Sequence, residues 1–251
     1  MAARLLLIED DASIARFVDL ALQELPEHDP AAPAVALVHV RSLAEARAAL
    51  AEGDWRLVVS DLMLPDGSAE ALLDEGLALA PQAPTWVVFS AGVSEDRRRV
   101  LAERGVARTL RKPVSLLELM DTVATLLRDP AGAPPVPAPA AAAPDPVQQH
   151  FGGDRELYES FRASCLERFA DDLAEGAAAT AAADAAALRR VAHGLKAVLA
   201  LIGQPALAAQ AAALEDAAAA WAPGQPWPQG WAALAQGLRG LRPETDSSRN
   251  I

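Results

Sequence analysis

Residues 57–67 read Leu-Val-Val-Ser-Asp-Leu-Met-Leu-Pro-Asp-Gly. Three apolar residues and a serine form a run of the length and β-branched character expected of a buried strand, and a Pro-Asp-Gly turn follows shortly after the acid. Asp61 therefore stands where a central strand ends. Comparable runs lie at 5–8, 35–40, 85–89 and 107–110, and helical patterns fall near 13–25, 42–52, 67–80, 94–104 and 115–128. Strand and helix alternate five times, so right-handed crossovers predict an α/β doubly wound, five-stranded parallel sheet with its ligands at the carboxyl ends of the strands.

Beyond residue 129 the pattern changes. Residues 130–146 are built almost entirely of Ala and Pro, with no periodicity, and predict a linker of polyproline character that spans on the order of 50 Å when stretched. After it no strand pattern recurs. Helical periodicity near 154–175, 184–202, 204–221 and 230–241 predicts an all-α four-helix bundle over 147–243, followed by a polar tail at 244–251. The 251 residues thus divide into a domain at 1–129, the linker and the bundle, each domain long enough to bury its own core. Trp221, Trp227 and Trp231, around the irregular joint 222–229, read as packing anchors.

A formal charge of −12 argues against a nucleic-acid partner, because an acidic surface repels phosphate backbones. A single cysteine, Cys165, excludes a disulfide framework and fits a reducing cytosol. The start Met1-Ala2-Ala3-Arg4 is followed by only four apolar residues before three acids, too short for a signal peptide, and the alanine-rich stretches lack a membrane-spanning run. The expectation is a cytoplasmic protein without membrane insertion.

Glu9, Asp10 and Asp11 directly follow the first strand as Asp61 follows the third, so carboxylates from neighbouring strands crowd one end of the sheet. Such a cluster repels itself unless a cation joins it, and Mg2+, which takes hard oxygen ligands and keeps exchangeable waters, suits it. Ser90 ends the fourth strand and Lys112 follows the fifth, bringing a hydroxyl and an ammonium to the same rim. That set suits phosphoryl transfer, in which catalysis is positioning and charge stabilisation.

The stretches Leu-Leu-Leu-Ile-Glu-Asp-Asp (5–11), Ser-Asp-Leu-Met-Leu-Pro-Asp-Gly (60–67), Val-Val-Phe-Ser-Ala (87–91) and Leu-Arg-Lys-Pro (110–113) together resemble the response-regulator receiver family, which has a flavodoxin-like fold, over residues 3–129. The resemblance implies Glu9 and Asp10 as the acidic metal pair, Asp61 as phosphoacceptor and ligand, and the Met63 carbonyl as a further ligand. It also implies Ser90 as switch hydroxyl, Lys112 as phosphate contact and a cis Lys112–Pro113 bond; Asp11 stays outside the site. Thr109 departs from the pattern, which has an aromatic residue three before the lysine, and so predicts weak conformational output.

In the helix predicted at 184–202, Leu188, Val191, Leu195, Val198, Leu199 and Ile202 recur at spacings of three and four. At about 100° per residue His193 falls opposite Val191 and Leu195, which predicts an exposed histidine among Arg189, Arg190 and Lys196, with Ala197 and Ala200 on the same face. Neutral imidazole is a good phosphoryl acceptor, and the cations can hold the transferred group. Phe151-Gly152-Gly153-Asp154, Phe161, Phe169, Asp184, Ala192-His193-Gly194-Leu195-Lys196, Gly203 and Leu214-Glu215 resemble the histidine-phosphotransfer (Hpt) family over 147–241. By that resemblance His193 carries the phosphoryl group and Lys196 assists; Ala197 stands where the family has glycine. His28, His39 and His150 receive no role.

No Gly-rich ATP-binding motif or kinase lobe is visible. The expectation is a phosphoryl carrier rather than an ATP-consuming enzyme, placed between a sensor histidine kinase and a downstream response-regulator receiver domain. The alternative is a non-transferring kinase-docking module or phosphate sink.

Overall fold

A computed structural model describes residues 2–90, 92–129 and 145–241, folded as two compact units, Met1–Tyr158 and Glu159–Ile251. Of the linker expected at 130–146, only Asp145 and Pro146 are among the described residues; the tail expected at 244–251 lies outside them.

The first unit runs β1 (Ala3–Ile8), α1 (Ala12–His28), β2 (Val35–Val40), α2 (Leu43–Ala51), β3 (Leu57–Ser60), the hairpin β4 (Met63–Leu64) and β5 (Gly67–Ser68), then α3 (Glu70–Asp74), β6 (Thr85–Ser90), α4 (Glu95–Glu103), β7 (Val106–Arg111), α5 (Leu116–Arg128) and α6 (Pro146–Phe151). Strands β2-β1-β3-β6-β7 form one parallel sheet. Its order reverses between β1 and β3, which opens a crevice at their carboxyl ends. The central strand β3 is buried throughout, and Leu6, Ile8, Val58, Trp86 and Val88 form a core with Leu72 and Leu101 from the helices. Helix starts are fixed by side-chain caps: Asp11 for α1, Ser42 for α2, Ser94 for α4 and Ser115 for α5.

Three local features differ from the sequence expectation. The helix expected at 67–80 shrinks to Glu70–Asp74, because residues 63–68 pair as a hairpin whose Gly67 takes φ 143°. Helix α1 runs through Pro26 to His28 instead of stopping at 25. Residues 147–158, expected with the bundle, fold with the first unit. Asp145 caps α6, Pro146 opens it and Gly152 closes it at φ 62°, while Phe151 sets its ring edge-on to Phe17 of α1 at 5.7 Å.

The second unit contains α7 (Arg155–Ala181) beyond Tyr158, α8 (Ala185–Leu201), α9 (Pro205–Ala220) and α10 (Trp231–Leu241), an all-α bundle around Phe161, Phe169, Leu188, Leu195, Leu214 and Leu238. Helix α9 is largely alanine, and its buried face presents Ala208, Ala211 and Ala218. Small side chains bring helix axes close. At Gly176 the approach is closest, since a Cβ there would lie 2.1 Å from Cη2 of Trp231.

Gly176→Ala should therefore destabilise the bundle by about 1–3 kcal/mol through overpacking, although alanine is the better helix former by about 1 kcal/mol. Urea unfolding of the variant checks this, and Trp231→Leu in the same chain should restore most of the loss.

Candidate functional site: an acidic pocket and a buried histidine

The parallel register brings the ends of β1 and β3 side by side, with Ile8 opposite Ser60, so Glu9 and Asp61 leave the sheet as neighbours. Lys112 arrives from the end of β7, and its amide donates to the Ser90 carbonyl at 2.9 Å. Its ammonium lies over the Phe89 ring and donates to Glu9 Oε2 at 2.6 Å and Asp61 Oδ2 at 2.7 Å. All three side chains are buried. Asp61 Oδ1 accepts from the Leu62 and Met63 amides, which fixes the carboxylate from its other side. The Lys112–Pro113 peptide is cis.

Burial shapes the charges. It raises the Glu9 carboxyl to about 8 against the pull of Lys112, with Asp61 adding to the rise, and it raises Asp10 to about 6, again with help from Asp61. Burial alone would lower the Lys112 ammonium, but the Asp61 and Glu9 carboxylates hold it above its usual range. Asp11, excluded from the site in the sequence analysis, is occupied in capping α1 through the Ser13 and Ile14 amides. Two residues without an assigned role pin the acidic loop by its main chain: His39 Nε2 meets the Glu9 carbonyl at 2.6 Å, and Arg41 Nη2 donates to the Asp10 carbonyl at 3.0 Å. Thr109 is half-buried in β7, paired with Val88.

Carboxylate oxygens of Glu9, Asp10 and Asp61 lie within 4.8 Å of one another. This set of hard oxygens, facing a single lysine, fits a divalent cation such as Mg2+. The structure brings Ser90 to the same rim, where it is buried, and puts Met63 at the start of the hairpin, two residues from Asp61.

In the second unit the exposed position expected for His193 is overturned. The residue is 8% exposed and Ala197 is 2% exposed. The imidazole Nδ1 stands 2.7 Å from Glu215 Oε1 of α9, and Lys196 Nζ donates to Oε2 of the same carboxylate. The helical wheel counted large apolar residues, whereas His193 faces the Glu215 carboxylate of α9 and its buried neighbour Ala197 is small, so this buried side of α8 gave no bulky stripe. An Ala197→Phe change accordingly overpacks a buried position rather than decorating a surface. Burial would raise the Glu215 carboxyl, but hydrogen bonds and charge from His193 and Lys196 pull it down to about 2. Glu215 is thus an ionised acceptor facing Nδ1, and the other ring nitrogen, Nε2, is buried. Sequence reasoning quoted Glu215 but gave it no role; the available signal was that it and Asp216 are the two acids in α9.

Residues 156–243 match the Hpt domain family. The N-terminal half is 29% identical, over 123 residues, to Response regulator protein PilR of Pseudomonas aeruginosa, covering 49% of this chain and 26% of that protein. Residues 156–243 thus carry a match to the Hpt family, and the N-terminal half is similar to a response regulator. It spans about a quarter of the length of PilR. Among solved structures, it is similar to a CheY-like response regulator receiver domain protein from Methanospirillum hungatei, at 19% identity and TM-score 0.44 over 51% of this chain and 96% of that one. It is also similar to a two-component response regulator from Clostridium difficile, at 17% identity and TM-score 0.44 over 52% and 99% of the two chains. Receiver and Hpt domains are modules of two-component phosphorelay signalling. Among the described residues, no helix is long and apolar enough to cross a membrane.

Because a cation entering the receiver pocket must displace protons from Glu9 and Asp10, Mg2+ affinity should tighten as pH rises from 6 to 8 and level off above about 8. Calorimetric titrations in buffers of different ionisation enthalpy should show proton release that vanishes above that range; pH-independent affinity would contradict the assignment.

Proposed function

We propose that this chain is a phosphoryl carrier with two acceptors, Asp61 in the receiver domain and His193 in the Hpt domain, working between a sensor histidine kinase and the receiver domain of a response regulator. The observation that carries this reading is that each nucleophile is held in a cluster with a lysine and a carboxylate: Lys112 bridges Asp61 and Glu9, and Glu215 bridges His193 and Lys196.

At the receiver, a carboxylate oxygen of Asp61 attacks the phosphorus of a donor phosphohistidine. The new P–O bond forms as the P–N bond breaks, and the electron pair leaves with the donor imidazole. Lys112, freed from one carboxylate by the reaction, neutralises the phosphoryl oxygens, and the Ser90 hydroxyl hydrogen-bonds one of them. Glu9, Asp10, Asp61 and the Met63 carbonyl would hold Mg2+, which supplies further charge neutralisation at the phosphoryl oxygens when bound.

At the Hpt domain the lone pair on Nε2 of His193 attacks the phosphorus of an aspartyl phosphate. The P–O bond to the carboxylate breaks and its electron pair stays on the departing oxygen. Glu215 keeps the Nδ1 proton and offsets the positive charge that the ring gains, while Lys196 stands beside the incoming group. On this reading the phosphoryl group comes from a partner. Thr109, too small for the rotamer swing of an aromatic residue, favours a second reading in which the chain docks a kinase without passing phosphate onward.

Transfer of labelled phosphate from a histidine kinase, then to a second receiver, tests both readings. Asp61→Asn should reduce the acid-stable, base-labile label to background, and His193→Gln should reduce the acid-labile label and all transfer through the Hpt domain to background. Acyl phosphate on Asp61→Asn would show the acceptor to be elsewhere, and docking with no label on the wild type would select the second reading.

A further inference from the structure

The two loops that carry the acidic pocket are tied together through a third. From the β2–α2 junction, Arg41 Nη2 donates to the Asp10 carbonyl at 3.0 Å. Two and three residues later, the Leu43 and Ala44 amides that open α2 donate to the two carboxylate oxygens of Asp66 at 2.8 and 3.0 Å. Asp66 lies at the tip of the β4–β5 hairpin that Met63 begins. The helix start already has its own cap: Ser42 Oγ accepts from the Glu45 amide at 3.1 Å, and Glu45 Oε2 accepts from the Arg41 amide at 2.7 Å. The Asp66 carboxylate is thus a second cap supplied by a different loop. Burial opposes its ionisation, yet the Leu43 and Ala44 amides together hold its pKa below the ordinary value.

An independent contact joins the same two loops. Gly67, at φ 143°, brings the hairpin backbone so close to α2 that a Cβ there would lie 2.9 Å from Leu43 Cδ1. Asp10 and Met63 are therefore spaced by a chain of contacts running Asp10, Arg41, the first turn of α2, Asp66 and Met63.

We propose that Arg41 and Asp66 form a brace that sets the distance between the Asp10 and Met63 sides of the pocket, and so act as positioning residues for Mg2+ selection at Asp61. This rests on the reading of the acidic pocket as a metal-dependent phosphoryl site. Neither residue touches the ion; each acts through a main-chain segment. Mg2+ demands near-octahedral geometry at about 2.0–2.1 Å, whereas Ca2+ accepts flexible coordination at about 2.3–2.6 Å. A loosened brace therefore penalises Mg2+ far more than Ca2+.

Separate calorimetric titrations of Mg2+ and Ca2+ into the full chain test this. Asp66→Ala and Arg41→Ala should each weaken Mg2+ binding about 10-fold, the range typical of groups that orient metal ligands, with Ca2+ affinity changed much less. The double variant should lose less than the product of the single losses, because both act on one spacing. Asp66→Asn, which keeps one acceptor oxygen, should recover part of the loss. Arg98→Ala, which removes the exposed Arg98–Glu95 pair on α4, should leave both affinities unchanged. Mg2+ binding by Asp66→Ala at wild-type strength overturns the brace, as does a parallel fall in both affinities that tracks thermal stability. A wild-type protein that binds no Mg2+ overturns the underlying reading of the pocket, and the brace with it.

Discussion

The ammonium of Lys112, held between Glu9 and Asp61 with all three side chains buried, is the interaction on which the receiver depends. The fold forces the carboxylates together, because parallel register and the reversal of strand order bring the ends of β1 and β3 into one crevice. An unpaired buried charge costs several kcal/mol, and within the chain the Lys112 ammonium offsets it. Lys112 starts at the end of β7, two strands from β3, and spans that gap with its ammonium above Phe89. The Asp61 carboxylate is thereby held in a fixed orientation, with two main-chain amides on Oδ1 and an ammonium on Oδ2.

The two domains meet the same electrostatic problem with opposite balances. In the receiver three acids face one lysine, leaving the pocket short of positive charge, and burial raises Glu9 and Asp10 in response. In the Hpt domain one acid faces a lysine and an imidazole, and Glu215 is pulled down to about 2. The first arrangement suits a divalent cation; the second carries its positive charge within the chain. On the proposed reading one acceptor is a carboxylate and the other an imidazole nitrogen, which suits passage of a phosphoryl group between unlike acceptors.

Much of this was legible in the sequence because it rests on local patterns. Buried strands announced themselves as apolar runs, and Glu9, Asp10, Asp61, Ser90 and Lys112 all stand at strand ends that those runs define. What escaped depends on contacts between elements. The hairpin at 63–68 uses two-residue strands, too short for periodicity, and displaced a helix expected there. Helix α6 is stabilised by Phe151 against Phe17, a contact invisible to composition. The burial of His193 came from an alanine-lined neighbour, and Glu215 reaches it across 22 residues through helix packing. The roles of Arg41, His39 and Asp66 lie in main-chain contacts that no motif encodes.

The most direct test of the account is the unfolding free energy of Lys112→Met, compared with wild type in metal-free buffer from pH 5 to pH 8. Burial already keeps the Glu9 carboxyl protonated up to about pH 8; without the ammonium Asp61 would keep its proton as well, so the variant loses stability relative to wild type as pH rises above the unfolded carboxylate range. The difference from wild type should therefore be small at pH 5 and grow by about 1.4 kcal/mol per pH unit for each extra proton retained. A loss of the same size at both ends of the range would show that Lys112 contributes packing alone, and that the charge balance proposed for the pocket is wrong.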